Sequence, residues 1–198
     1  MHVFGVSASF VMSCRKAGVV PPAGDKEPDD DAATAVPVAA TFALSGDAAG
    51  TATEGGLETR VPDSIVLDGS RMDRIIGIDA YNMQATCQCG VSLQMLEDRV
   101  REVGLTTGHS PQSKPVANMG GLVATRSIGQ FSTLYGGIED MVVGLEAVFP
   151  GGEIARIKNV PRRAAGPDIR HVVIGNEGAL CFISEVTVKL FPYFPENN

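Results

Sequence analysis

Apolar positions recur at helical spacing in LQMLEDRVREV, where Leu93, Leu96, Val100 and Val103 share one face. The pattern predicts a helix over 93–103, with Ser92 as its N-cap and Gly104 as a left-handed residue just past its end. The other face carries Glu97, Asp98, Arg99, Arg101 and Glu102 and is read as a solvated surface. Alternation marks NMQATCQCGV as a strand with Met83, Ala85, Cys87 and Cys89 on one side. Upstream, SIVLDGSRMDRIIGID gives a strand at Ser64 to Leu67, a turn at Asp68 and Gly69, and a second element ending near Asp79. Downstream, Val142, Val143, Leu145, Val148 and Phe149 form one arm of a hairpin, Pro150, Gly151 and Gly152 its turn, and Ile154 to Ile157 its return. Asp140 is placed to cap a backbone group at the strand entrance. Pro167 and Asp168 start a short helix, and CFISEVTVKLF alternates as a strand ending at Pro192. Residues 1–49 show neither period; Pro21, Pro22, the run Asp29, Asp30, Asp31 and the stretch AATAVPVAATFALS have the composition of a mobile segment.

Composition narrows the function classes without selecting one. The 198 residues suffice for one domain with a sizeable core, and 44% hydrophobic with 20% charged residues is ordinary for a globular protein. Lys and Arg number 16 against 23 Asp and Glu, a net charge of -7 that argues against a nucleic-acid partner. The basic run with Lys158, Arg162, Arg163 and Arg170 is read as a solvated connection, and His171 as structural. Cys14, Cys87, Cys89 and Cys181 have neither disulfide nor zinc spacing, which suits a reducing, cytoplasmic compartment. No segment approaches the roughly 18 to 20 apolar residues of a membrane span, and the N-terminal run lacks the basic start of a signal peptide.

Between the helix and the hairpin lies the chemistry-bearing stretch, from Gly104 to Val148. It sets eight glycines, among them Gly108, Gly120, Gly121 and Gly129, beside small hydroxyl residues. Glycine lets a backbone approach a ligand closely, and successive N–H groups with Ser and Thr hydroxyls bind anionic oxygens. A diphosphate is the natural candidate; ligand-free turns are the other reading. Pro111 and Pro115 stiffen the loop and push Ser110 and Lys114 toward extended conformations, so that donors line a ridge and do not close into a helix. Arg126 and Lys114 are the cations best placed for phosphate.

Four blocks in order, TGHSPQS, MGGLVATRSIG, LYGGIEDMVVGLEAV and GPDIRHVVIGNEGALCFISEVTVKLFP, resemble the flavin-binding domain of FAD-linked oxidoreductases. That family, of PCMH or vanillyl-alcohol-oxidase type, includes D-lactate dehydrogenases and alkyldihydroxyacetonephosphate synthase, and the details are most similar to the latter and to bacterial FAD-linked oxidoreductases. The resemblance implies an α+β PCMH-type FAD-binding domain over residues 50–198, after an atypical segment at 1–49. It further implies a domain incomplete at the N-terminus and lacking the C-terminal cap domain. Where the family has a Pro-Arg phosphate loop this chain reads GDAAGTATEGG, with Thr51 at the matching end of the loop.

The resemblance implies FAD contacts at Pro111, Gln112, Ser113, Lys114, Pro115, Val116 and Ala117, and again at Ala124, Thr125, Arg126 and Ser127. Met119, Gly120 and Gly121 would open a short helix with its N-terminus toward the diphosphate. The turn at Glu177, Gly178 and Ala179, continuing through Leu180, Cys181, Phe182 and Ile183, would meet the flavin or its linker, with Glu177 holding the turn together. For His109 two readings stand: a buried histidine bonded to a loop carbonyl, or a residue at the flavin ring that orients substrate or accepts a proton. FAD is expected to be noncovalent. The parent reaction would be oxidation of a 2-hydroxy acid or related alcohol, or flavin-assisted exchange of acyl for alkyl on a ketone phosphate. A noncatalytic fragment without FAD affinity is the alternative of another class. Expected partners are FAD and a small-molecule substrate, with a homodimer or a separate cap-bearing chain as further expectations.

Overall fold

The computed structural model describes residues 3–5, 11–13, 69 and 71–195. The expected strand at 64–67, the turn residue Asp68, Cys14 and the Thr51 loop lie outside the described residues. Within residues 1–49, where the sequence shows no period, β1 (Val3–Gly5) pairs antiparallel with β2 (Val11–Ser13).

A five-stranded antiparallel sheet organises the rest. Its strands are β3 (Ile75–Asp79), β4 (Gln84–Gln88), β6 (Val142–Val148), β7 (Ile154–Ile157) and β8 (Phe182–Lys189), in the spatial order β3-β4-β8-β6-β7. β3 and β4 make a hairpin whose turn is tied by Asn82 N–H to the Asp79 carboxylate at 2.8 Å. Met83 takes a positive φ of 50° in that turn and is exposed, so the expected face begins at Ala85 and continues through buried Cys87 and Cys89. β6 and β7 form the expected hairpin, with Leu145 opposite Ile157 and Val148 opposite Ile154. At its entrance the Asp140 carboxylate accepts the Gly137 N–H at 3.2 Å, as the sequence suggested.

β8 departs from the expected alternation. Except for Glu185 and Lys189 at half-burial, all its residues are buried, because it is the central strand, flanked by β4 and β6 and covered by a helix. Strands covered on both faces lose the period-two signal.

The helices cover this sheet and deliver the loops. α1 (Leu93–Arg101) starts where predicted, with Ser92 Oγ accepting the Met95 N–H at 3.1 Å. Leu93, Leu96 and Val100 are fully buried, each such burial stabilising by about 1.5–3 kcal/mol. The helix ends at Arg101, two residues short of the expected end, and Val103 is exposed. Gly104 adopts the expected left-handed conformation, φ 75°. After it, β5 (Leu105–Thr106) pairs with β9 (Phe191–Pro192), and the Arg101 guanidinium stacks over the Tyr193 ring at 4.4 Å. The short helices α2 (Met119–Ala124), α3 (Ser132–Tyr135), α4 (Ile138–Met141) and α5 (Arg170–Val173) follow, with α2 packed on β8. Gly120 of α2 sits so close to β4 that an added Cβ would lie 2.6 Å from Cys89 Cβ.

Two charges expected at the surface are interior. Glu97 is 1% exposed, since it occupies the i+4 position from Leu93 on the apolar face of α1. Arg170 is 7% exposed; its guanidinium pairs with the Asp168 carboxylate and donates to the carbonyls of Val142 at 2.8 Å and Val160 at 3.2 Å. Asp168, expected in the first turn of the helix, lies just before α5 and accepts the Arg170 N–H at 3.1 Å.

Candidate functional site

Three segments far apart in sequence meet at the C-terminal end of α2. The first is the loop Thr107 to Ala117, the second Ala124 to Gln130, the third the turn Ile174 to Cys181. Gly175 N–H donates to the Val123 carbonyl at 3.0 Å, Glu177 N–H to the Ala124 carbonyl at 3.0 Å, and the Arg126 guanidinium reaches the Ile174 carbonyl at 3.4 Å. These bonds join the second segment to the third. Gln130 N–H donates to the Ser110 carbonyl at 2.9 Å, and His109 Nε2 lies 3.1 Å from Ser127 Oγ, joining the first to the second.

The junction is built on backbone conformations that side chains resist. Arg126 and Glu177 both have positive φ, 52° and 47°. Single left-handed residues of this kind cost roughly 1 kcal/mol or more and mark places where surrounding structure dictates the chain path. Gly108 also has a positive φ, 68°, and an added Cβ there would lie 2.7 Å from the Tyr135 ring. The Tyr135 ring in turn packs on Phe191 with centroids 4.7 Å apart.

His109 is 2% exposed. Burial, with the positive charge of Lys114 adding to it, pushes its pKa down to about 4, so the imidazole is neutral near pH 7. Its Nε2 faces the Ser127 hydroxyl rather than the loop carbonyl of the first sequence reading. Among the described residues its buried Nδ1 has no hydrogen-bond partner. An unsatisfied buried polar atom costs about 1–3 kcal/mol, which calls for a polar group from outside the described residues.

The other expected contact residues divide by exposure. Arg126, Thr125, Gln112, Pro115 and Val116 are exposed, while Pro111, Ser113, Lys114, Gly121 and Ser127 are half-buried. Ala117, Gly120 and Ala124 are buried. In the third segment Glu177, Ala179 and Leu180 are exposed and Gly178 is buried, whereas Cys181, Phe182 and Ile183 point into the core. Burial raises the Cys181 thiol to about 11, so it is no thiolate at neutral pH.

Several details differ from the sequence expectation. Pro111 to Ala117 closes into turns: Lys114 N–H donates to the Pro111 carbonyl at 3.1 Å, and the Val116 and Ala117 N–H groups to that of Ser113. Proline restricts its own φ and its predecessor without preventing a turn behind it. Lys114 Nζ stands 3.8 Å from the Glu97 carboxylate, so its charge is directed inward. The Met119 and Gly120 N–H groups of α2 donate to the carbonyls of Val91 and Cys89, which removes them from a diphosphate role. The third turn is held by Asn176, whose side chain donates to the Val173 carbonyl at 2.6 Å and accepts the Leu180 N–H at 3.3 Å; the Glu177 contribution is its backbone. Sequence reasoning read Glu97 and Arg170 as solvated charges and placed Asn176 in the tight turn without giving it a role. Only Glu97 carried a usable signal, its place on the apolar stripe of α1.

A cluster of hydroxyls, one exposed guanidinium, tightly turned backbone and a buried unpartnered imidazole nitrogen fits an anionic dinucleotide carrying a polar ring. The chain belongs to the FAD binding domain family, whose family model matches residues 29–158. Its cofactor is FAD.

Three relatives define its surroundings. Over 147 residues the chain is 76% identical to an uncharacterized FAD-linked oxidoreductase, YgcU, of Escherichia coli (strain K12), a match covering 74% of this chain and 30% of YgcU. Over 143 residues it is 33% identical to mitochondrial D-lactate dehydrogenase [cytochrome] 1 of Saccharomyces cerevisiae, covering 71% of this chain and 24% of that protein. A solved alkyldihydroxyacetonephosphate synthase superposes with a TM-score of 0.64 at 32% identity, covering 70% of this chain and 25% of the synthase. The chain thus spans less than a third of the length of the relatives it matches. Among the described residues no helix is long and apolar enough to cross a membrane.

Proposed function

We propose that this domain holds FAD noncovalently at the junction of its three segments and serves a flavin-dependent oxidation of a 2-hydroxy acid or related alcohol. The observation that carries this reading is the convergence itself: Ala124 to Ser127 and Glu177 to Leu180, separated by some fifty residues, are hydrogen-bonded neighbours, with His109 against Ser127.

Bound FAD supplies the two-electron acceptor. The chain supplies binding and orientation. Arg126, exposed and anchored at Ile174, offers a planar donor to a phosphate oxygen. Ser113 and Ser127 add hydroxyls, whereas the Thr125 hydroxyl and the Glu177, Ala179 and Leu180 N–H groups are given to acceptors within the fold and serve to shape the surface. His109, neutral and buried, presents Nδ1 for one further hydrogen bond and can orient a polar atom of the flavin or of substrate. Holding FAD and substrate in one geometry is one of the ways such a site contributes to rate.

The likeness to alkyldihydroxyacetonephosphate synthase supports a second reading, a flavin-assisted transferase acting on a ketone phosphate. The two are separated by anaerobic mixing of the FAD-loaded protein with a 2-hydroxy acid or with an acylated ketone phosphate. Bleaching of the flavin band by the hydroxy acid supports oxidation; no bleaching by it, with the acyl group of the ketone phosphate released as a carboxylate and replaced by the alkoxy group of an added alcohol, supports the second. Acid precipitation tests the linkage: all flavin should appear in the supernatant, and flavin in the pellet contradicts noncovalent binding.

A further inference from the structure

The buried Glu97 carboxylate is tied to the loop that carries His109. Its Oε2 accepts the Thr107 N–H at 2.9 Å and the Thr107 hydroxyl at 2.6 Å; its Oε1 accepts the Thr106 hydroxyl at 2.7 Å and Arg101 Nε at 2.8 Å. Having given their protons to the carboxylate, the two hydroxyls keep lone pairs for the amides that follow. The Gly108 N–H donates to Thr106 Oγ1 at 3.1 Å, and the His109 N–H points to Thr107 Oγ1 at 3.4 Å. Three successive backbone N–H groups, of Thr107, Gly108 and His109, are therefore tied to one internal anion, directly or through one hydroxyl. Successive main-chain amides of this kind form a concavity suited to an anion. Here the anion belongs to the protein. Burial alone would raise the Glu97 carboxyl, but the bonds from Thr107, Thr106 and Arg101 outweigh it and hold the group below its ordinary range.

We propose that Glu97 is a positioning residue for the cofactor loop: its carboxylate fixes the path of Thr106 to His109 and so sets the His109 ring against Ser127, with Nδ1 free for a ligand. The proposal concerns the placement of His109 and rests on the preceding reading only in giving that placement a use at FAD. Charge and donor geometry make it specific to a carboxylate. An amide at position 97 would turn an NH2 toward either Arg101 Nε–H or the Thr107 N–H, neither of which can become an acceptor. The adjoining cations, Arg101 on α1 and Lys114 on the loop, face the same carboxylate.

The test reads the His109 ring directly, by NMR titration of the full chain without FAD. In the unaltered chain the ring should titrate at about 4. Glu97→Gln should raise that midpoint toward the ordinary histidine value of about 6.5, because a loosened loop lets the ring reach water. The sign is diagnostic: losing a nearby negative charge without releasing the ring would lower the midpoint. Thr107→Ala should produce the same rise with the Glu97 charge in place, and Thr107→Ser, which keeps the hydroxyl, should restore the original value. If Glu97→Gln does not fold, the Thr107 pair decides. A midpoint unmoved or lowered in folded Glu97→Gln, or unmoved in Thr107→Ala, overturns the proposal. FAD binding is followed separately by flavin fluorescence. A chain that fails to bind FAD yet shows these histidine shifts refutes the proposed function and leaves the positioning role standing.

Discussion

The backbone N–H of Glu177 donates to the carbonyl of Ala124 at 3.0 Å, across fifty-odd residues of sequence. That bond and its neighbour from Gly175 to Val123 bring a helix end and a strand-leading turn into one surface. Both chains there run through left-handed residues, Arg126 and Glu177, so the geometry is imposed by the fold and not by local preference.

Arg126 tests the surface most simply. Asparagine tolerates a positive φ better than most residues, so Arg126→Asn keeps the backbone path while removing the guanidinium. FAD affinity should fall by roughly tenfold, equivalent to about 1.4 kcal/mol, with the thermal midpoint changed by only a few degrees. Isothermal titration and differential scanning measure the two quantities; unchanged affinity would remove Arg126 from the site.

Glu177→Gly should act in the opposite sense on stability. It relieves a left-handed glutamate whose side chain is exposed, and is expected to stabilise the fold by about 0.5–1 kcal/mol in chemical denaturation, less the added freedom of glycine in the unfolded chain. A loss of stability would show that the Glu177 side chain contributes to the turn.

His109 makes stability depend on pH. Its folded pKa, held at about 4 first by burial and then by Lys114, lies below the unfolded value of about 6.5, so the unfolded chain binds the proton more readily. The contribution of the neutral buried ring is complete above about pH 6.5, declines as pH falls, and levels off below about 4. Removing this titration by His109→Gln should flatten acid destabilisation by on the order of 2 kcal/mol at about pH 4.5. Urea unfolding at several pH values checks it; parallel pH profiles for both chains would contradict a buried neutral His109.

The Asp168 and Arg170 pair is structural. Hydrogen bonding and charge from Arg170 hold the Asp168 carboxyl at about 2, so the pair persists until pH falls through that value. Asp168→Ala leaves a guanidinium buried with only carbonyl partners and should cost roughly 3 kcal/mol in thermal unfolding. FAD affinity should be unchanged if fold and site are separate here.

The local signals were legible: the Ser92 cap, the Leu93, Leu96 and Val100 stripe and the β6–β7 hairpin each follow from residues within one element. Interior charges were not. Glu97 looks like surface until Thr106 and Thr107 turn back beneath it, and Arg170 until Val142 and Val160 bring their carbonyls to it. Satisfaction of a buried charge depends on partners that only the fold assembles. The same holds for the first helix amides of α2, which the sequence offered to a diphosphate and the fold gives to Val91 and Cys89. Resemblance located the blocks at the candidate site; it did not reveal that Lys114 faces Glu97 or that Asn176 holds the last turn.

Retention of flavin is the most direct measurement. The purified chain is mixed with FAD, passed through a desalting column and examined by visible absorbance alongside Arg126→Asn. A flavin band that travels with the protein, shifted from that of free FAD and reduced in the variant, is the predicted result. A folded chain that emerges without flavin at micromolar concentrations would contradict the assignment of the three-segment junction as the FAD site.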